Sequence, residues 1–170
     1  MAVKPEFRRR SEVARVSSES PWEPLAGYSR AVRADGFVFV SGTTGFGPDG
    51  RVTGATASEQ AEQAARNITL ALRALGSGPE RVVRTRLYVL DPDDVADVLD
   101  VHRRHFGKAR PAATLVVVKG FVDPRMRVEI EATALANGSK EVGGVGRDRR
   151  VPARAVLRRA ARRPRRRSRG

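Results

Sequence analysis

Polar and apolar side chains alternate strictly over residues 127–134, a pattern that limits this segment to an extended strand with one apolar face. An extended strand there places Val128 and Ile130 on one face and Glu129 and Glu131 on the other, because successive side chains point to opposite sides. The two carboxylates are then about 7 Å apart on one face. Such a pair can belong to a solvated sheet face, or one carboxylate can enter a cleft and handle a proton. The alternation by itself leaves both readings open.

Strand-like and helix-like segments precede this stretch in a regular order. The β-branched or alternating segments cover residues 28–34, 37–41, 81–90, 114–118 and 127–134. Asp35-Gly36 is a strong hairpin signal between the first two. An apolar stripe at helical spacing predicts one helix after an N-cap at Thr56 or Ser58, and Asp91-Pro92 opens a second.

The resulting order, β-β-α-β-α-β-β, predicts an α+β domain with a mixed sheet and both helices on one face. The opposite sheet face then has no covering layer within the chain. Apolar side chains on that face would need a partner surface, so oligomerisation is expected.

The formal net charge of +14 is concentrated at one end of the chain. Residues 139–170 carry +11 of it, and the remaining residues carry only +3. The predicted organisation is a mobile N-terminal arm at 1–19, a folded domain at 20–137 and an Arg-rich disordered tail at 138–170. The tail can contact nucleic acid non-specifically by counterion release, without aromatic side chains to stack on bases.

Several function classes are disfavoured by composition and spacing. With no cysteine there is no disulfide framework and no thiolate nucleophile. His102 and His105 have no third partner for a metal site, and Ser41 has no histidine at a hydrolase spacing. The glycine-rich loop at 42–50 lacks the spacing of a phosphate cradle. No segment resembles a signal peptide or a membrane span, so a cytoplasmic location without membrane contact is expected.

Several segments together resemble the RidA (YjgF-like) family of reactive intermediate deaminases. The matching segments, in order, are residues 28–32, 37–42, 82–89, 106–107, 111–112 and 128–132. The similarity covers about residues 20–136. It implies a mixed six-stranded sheet with two helices on one face, of the RidA/chorismate-mutase-like type. It also implies a homotrimer with a central barrel and small-molecule clefts between subunits.

The resemblance also implies an activity and a set of site residues. Members of the family hydrolyse 2-imino or 2-enamino acids to 2-oxo acids and ammonia without a metal or organic cofactor. Glu129 matches the glutamate that positions the attacking water, and Tyr28 matches the tyrosine lining the cleft. Ser41 and Gly42 match the strand end whose backbone contacts the ligand, and Tyr88 matches an aromatic wall position.

One departure concerns the substrate carboxylate. The family's deaminases have Pro-Ala-Arg followed by Ser or Thr, whereas this chain has Ala113 at the arginine position, followed by Thr114. A bidentate arginine contact is worth about 1.5–3 kcal/mol, and neither Arg110 nor Arg125 is an obvious substitute. The chain therefore resembles a branch of the family that lacks this arginine, and its substrate is expected to differ from the standard one.

Three functions follow from these observations. The first is deaminase-like hydrolysis of an imine, an enamine or a related small electrophile by a carboxylate-positioned water. The second is a non-catalytic, small-ligand-binding regulatory trimer that uses the same cleft. The third is an RNA-directed role, such as the ribonuclease activity ascribed to some relatives.

Overall fold

The computed structural model describes residues 13–138. The predicted Arg-rich tail after residue 138, its nucleic-acid contact and most of the predicted N-terminal arm therefore lie outside the described residues. The strands are β1 (Ala14–Val16), β2 (Ala31–Ala34), β3 (Phe37–Thr44), β4 (Val82–Val89), β5 (Ala112–Val117) and β6 (Val128–Leu135). They form one sheet in the order β1-β2-β3-β6-β4-β5, in which only β4 and β5 pair in parallel.

The helices connect these strands. They are α1 (Trp22–Ala26), α2 (Ala57–Ala74) and α3 (Val95–Phe106), with short 3₁₀ helices at Pro79–Arg81 and Pro92–Asp94. A capping box fixes the start of α2: the Thr56 hydroxyl accepts from the Glu59 N–H at 3.2 Å, and the Glu59 carboxylate accepts from the Thr56 N–H at 3.0 Å. Two backbone N–H groups at the start of the helix thereby gain acceptors. Of the two predicted N-caps, Thr56 is confirmed.

The core lies between the sheet and the two long helices. Val38, Leu87 and Ile130 are buried on one sheet face, and they belong to the same apolar cluster as Ile68 and Leu72 of α2. This arrangement confirms the predicted mixed six-stranded sheet with two helices on one face. The alternation at 127–134 predicted the inward residues of β6 correctly because a strand that borders a core needs one apolar face.

The predicted hairpin is also confirmed. Asp35 and Gly36 connect β2 to β3 with φ of 45° and 81°, so both residues adopt the left-handed conformation of a two-residue hairpin turn. This turn fixes the register of β2 on β3, including the pair Ala31↔Val40. It therefore also fixes where the segment before β2 meets the end of β3.

Strand β1 lies inside the segment predicted as a mobile arm. Its three residues pair with β2 in antiparallel register, as in Arg15↔Val32. A segment this short has no measurable alternation, so only the exposed edge of β2 reveals that it becomes a strand. Among residues 13–138, no helix is long and apolar enough to cross a membrane.

His102 lies on the inner side of α3, between the helix and the sheet. Its Nε2 and the Thr85 hydroxyl are 2.9 Å apart, and its ring lies 5.3 Å from that of Phe106. Burial lowers the pKa of His102 below 6.5. A charged imidazole is therefore disfavoured in the folded state.

This burial predicts a loss of stability in mild acid. Because the folded-state pKa of His102 is depressed, its contribution is present above about pH 6.5 and is lost as the pH falls below that value. Urea unfolding at pH 7.5 and pH 5 measures the change. The His102→Gln variant, which keeps a polar group but does not titrate, should lose less stability over this interval. An equal loss in both proteins would contradict the assignment.

Candidate functional site

The candidate site is built on an irregularity in the pairing of β3 with β6. The register shifts between Val40 and Thr43, so Ser41 and Gly42 form a bulge. Bulges re-aim side chains and are common beside functional sites. Ser41 ties the bulge to the segment before β2, because its hydroxyl donates to the Ser29 carbonyl at 2.8 Å.

Gly42 leaves the space that the Glu129 carboxylate occupies. A Cβ added to Gly42 would lie 1.8 Å from Oε1 of Glu129 and 2.8 Å from its Cδ. Any side chain at this position would therefore displace the carboxylate. Gly42 is needed here for close approach, as a glycine in a strand often is.

The Glu129 carboxyl has an electrostatic environment that suits proton transfer. Burial raises the pKa of Glu129, the charge of Glu131 raises it further, and the charge of Arg30 opposes the increase. None of residues 13–138 donates a hydrogen bond to this carboxylate within normal bonding distance. A half-buried carboxylate with free acceptor sites can bind a water molecule or a substrate N–H.

Glu131, on the same face of β6, differs in that it has hydrogen-bond partners. Its Oε1 accepts from the Tyr88 hydroxyl at 2.7 Å, and its Oε2 accepts from Nη1 of Arg86 at 2.7 Å. The hydrogen bond to Glu131 raises the pKa of Tyr88. Within residues 13–138, Glu131 therefore belongs to an ion pair with Arg86, whereas Glu129 is a half-buried carboxylate without such a partner.

Tyr28 and Arg30 form the wall beside the bulge. The Arg30 guanidinium carbon lies 5.9 Å from the centroid of the Tyr28 ring, and Nη2 of Arg30 donates to the Gly42 carbonyl at 2.6 Å. Arg30 was not among the predicted site residues. Its position two residues after Tyr28 in a strand-like segment, which places both on one face, was the available signal.

The structure brings most of the predicted site residues together but separates two of them. Tyr88 is the register partner of Glu129 on β4, and Tyr28, Ser41 and Gly42 lie on its β3 side. Two predicted residues lie on β5 instead, where Ala113 pairs with Thr85 and Thr114 pairs with Arg86. Strand β5 is two strand spacings from β6, about 10 Å. A single subunit therefore does not bring Ala113 or Thr114 to Glu129.

The described part of the chain offers no evident metal centre. Within residues 13–138 no three His, Cys, Asp or Glu side chains gather around a common point. The two histidines of α3 face different partners, since His105 contacts Glu62 at 2.8 Å while His102 contacts Thr85. They do not form a shared ligand pair.

Comparison with known proteins places these residues in a family. The endoribonuclease L-PSP family model matches residues 18–136. An uncharacterized protein of Streptomyces coelicolor is 40% identical over 122 residues, which cover 72% of this chain and 91% of that relative. The 2-iminobutanoate/2-iminopropanoate deaminase of Mus musculus is 34% identical over 110 residues, covering 64% of this chain and 80% of the deaminase.

A solved structure shows the same fold. The crystal structure of a Mycobacterium tuberculosis member of the YjgF/YER057c/UK114 family is 41% identical, with a TM-score of 0.68 over 74% of this chain and all of that one. The family match over residues 18–136 includes strands β2 to β6, both long helices and the candidate site. The chain therefore belongs to the endoribonuclease L-PSP family, the YjgF-like proteins that its sequence motifs resemble.

Proposed function

We propose that this protein is a small-molecule hydrolase that deaminates an imine or enamine with a water positioned by Glu129. The observation that carries the proposal is the Glu129 carboxyl, which is half-buried, has a raised pKa and accepts no hydrogen bond from residues 13–138. A relative from mouse bears the name of a deaminase of this kind. The roles of Tyr28, Ser41, Gly42 and Tyr88 as substrate-binding residues are part of the proposal.

The proposed reaction consumes one water and releases one ammonia. The water oxygen bonds to the imine carbon while Glu129 accepts a water proton and the C=N electron pair moves to nitrogen. Glu129 then delivers the proton to that nitrogen. As the carbinolamine collapses, Glu129 passes the hydroxyl proton to the nitrogen, the C=O bond forms and the C–N bond breaks, so a 2-oxo acid and ammonia leave. A carboxyl whose pKa is raised toward the working pH exchanges protons in both directions more readily.

A homotrimer is part of the same proposal. The sheet face opposite the helices exposes Phe37 and Phe39 by 39% and 47%, and Val116 on β5, the register partner of Tyr88, is exposed by 43%. Homotrimers are typical of this family, and an exposed apolar face of this kind suits burial between subunits. Such an assembly would place the β5 residues Ala113 and Thr114 at a cleft completed by another subunit.

The function is tested by measuring imine hydrolysis directly. An amino-acid oxidase acting on alanine generates 2-iminopropanoate in solution, and semicarbazide traps the imine that survives. The protein should reduce the trapped fraction in proportion to its concentration, with matching release of pyruvate and ammonia. Imino acids from larger amino acids extend the test to other side chains. Hydrolysis at the uncatalysed rate for every imine would contradict an enzymatic role.

Ala113 favours one alternative, a non-catalytic regulatory trimer that binds a small ligand in the same cleft. Without an arginine at this position, an imino acid lacks the bidentate contact that the family's deaminases make with its carboxylate. A ligand that raises the melting temperature and is recovered chemically unchanged would support this alternative.

A further inference from the structure

Arg30 is a partly enclosed cation with unused hydrogen-bonding capacity. A guanidinium has five N–H donors in a planar fork. One of them is committed to the Gly42 carbonyl, and the enclosed Nε has no partner among the described residues. Buried polar groups are rarely left without a partner, so an orphaned donor at a candidate site indicates a missing acceptor.

The acidic groups around Arg30 leave this cation available. Glu23 and Glu129 both contribute to its electrostatic environment. The Glu23 carboxylate is already engaged, because it accepts from both the backbone N–H and the hydroxyl of Ser18, at 2.9 and 2.6 Å. Burial lowers the pKa of Arg30, yet an arginine remains protonated at neutral pH.

Arg30 and Glu129 meet at the same glycine. The guanidinium binds the Gly42 carbonyl, and the Glu129 carboxylate fills the side-chain space of Gly42. A ligand beside Glu129 is therefore also beside the Arg30 guanidinium. In one subunit Arg30 lies on the β3 side of Glu129, whereas position 113 lies on the opposite side, on β5.

We propose that Arg30 is the anion-recognition residue of this site and that it selects substrates bearing a carboxylate. The inference rests on the proposed function for its reaction, but it concerns binding and can be measured without turnover. The carboxylate of the ligand accepts from the terminal Nη1 and Nη2 N–H groups that the Gly42 carbonyl leaves free, and its C=N or C=O carbon then lies toward Glu129. In the family's deaminases the carboxylate is held by an arginine at the position of Ala113, whereas here it would be held by Arg30 from the β3 side of Glu129. The site would therefore still prefer an anionic ligand.

The test compares two ligands of the same shape with different charge. Pyruvate carries the carboxylate, and pyruvamide replaces it with a neutral amide. Calorimetric titration of the wild-type protein should give at least about tenfold tighter binding of pyruvate. This comparison needs no variant. Equal affinity for the two ligands, or no binding of pyruvate, would overturn the proposal.

Three variants locate the effect. Arg30→Gln should weaken pyruvate binding at least about tenfold and leave pyruvamide binding unchanged. Arg30→Lys should bind pyruvate with an affinity between those of Arg30→Gln and the wild type, because lysine keeps the charge but lacks the planar fork of donors. Arg66→Gln removes an exposed arginine of α2, paired with Glu62 at 3.6 Å, and should change neither affinity. Unchanged pyruvate binding in Arg30→Gln, in a protein with a normal melting curve, would overturn the proposal.

The imine assay separates this inference from the proposed function. If pyruvate binding depends on Arg30 but no imine is hydrolysed, the anion site stands and the hydrolase proposal fails. If imines are hydrolysed and Arg30→Gln has the wild-type KM, the hydrolase proposal stands and the anion site fails.

Discussion

Replacing Glu129 by glutamine is expected to lower kcat/KM for imine hydrolysis at least about 100-fold, because removing a positioned general base costs about 10²- to 10⁴-fold. The measurement is the rate of 2-oxo acid release from 2-iminopropanoate. The fold should survive the change. Since the raised pKa of Glu129 means that burial disfavours its charged form, the neutral amide should unfold at the same or a higher temperature at pH 7.

Glu131→Gln is the matched control for this prediction. It removes the other carboxylate of the β6 face, whose partners are Tyr88 and Arg86, and should leave the rate at the optimum pH within a few fold. The charge of Glu131 raises the pKa of Glu129, so its removal should lower that pKa. Activity requires ionised Glu129, and the acid limb of the pH–rate profile should therefore move to lower pH. A limb that stays in place would contradict the coupling.

Gly42→Ala is expected to reduce activity about as severely as the loss of the carboxylate. The new methyl group would lie 1.8 Å from Oε1 of Glu129, so the side chain must swing away from the bulge. A displacement of about 1 Å at a catalytic group can cost about 100-fold in rate. The melting temperature should change little, because the clash involves the end of a flexible side chain and Gly42 does not have a positive φ.

A double-mutant cycle tests whether the two changes act through the same group. If Gly42→Ala acts by displacing the Glu129 carboxylate, adding it to Glu129→Gln should cause little further loss of activity. Additive losses would show that Gly42 contributes separately, for example through its backbone. Gly120→Ala, where an added Cβ meets nothing within 4 Å, is the control for a glycine-to-alanine change as such.

Local patterns were sufficient to predict most of the fold. The Asp35-Gly36 turn, the Thr56 cap and the alternation that became β6 each depend on residues within one turn or one strand. A turn, a helix cap or an alternating strand is formed by residues close together in the sequence, so each can be recognised without the tertiary structure. Strand β1 was missed because its pairing depends on the free edge of β2.

The candidate site was likewise predictable only where it depends on neighbouring residues. The alternation at 127–134 was enough to predict that two carboxylates share one face of a strand, and Gly42 could be seen to end a neighbouring strand-like segment. Which carboxylate is paired depends on tertiary contacts, because Tyr88 and Arg86 reach Glu131 through the cross-strand register of β4 on β6. The same applies to Arg30, whose place beside Glu129 follows from a bulge that shifts β3 against β6. Register and bulges bring distant segments together, and no pattern of neighbouring residues records them.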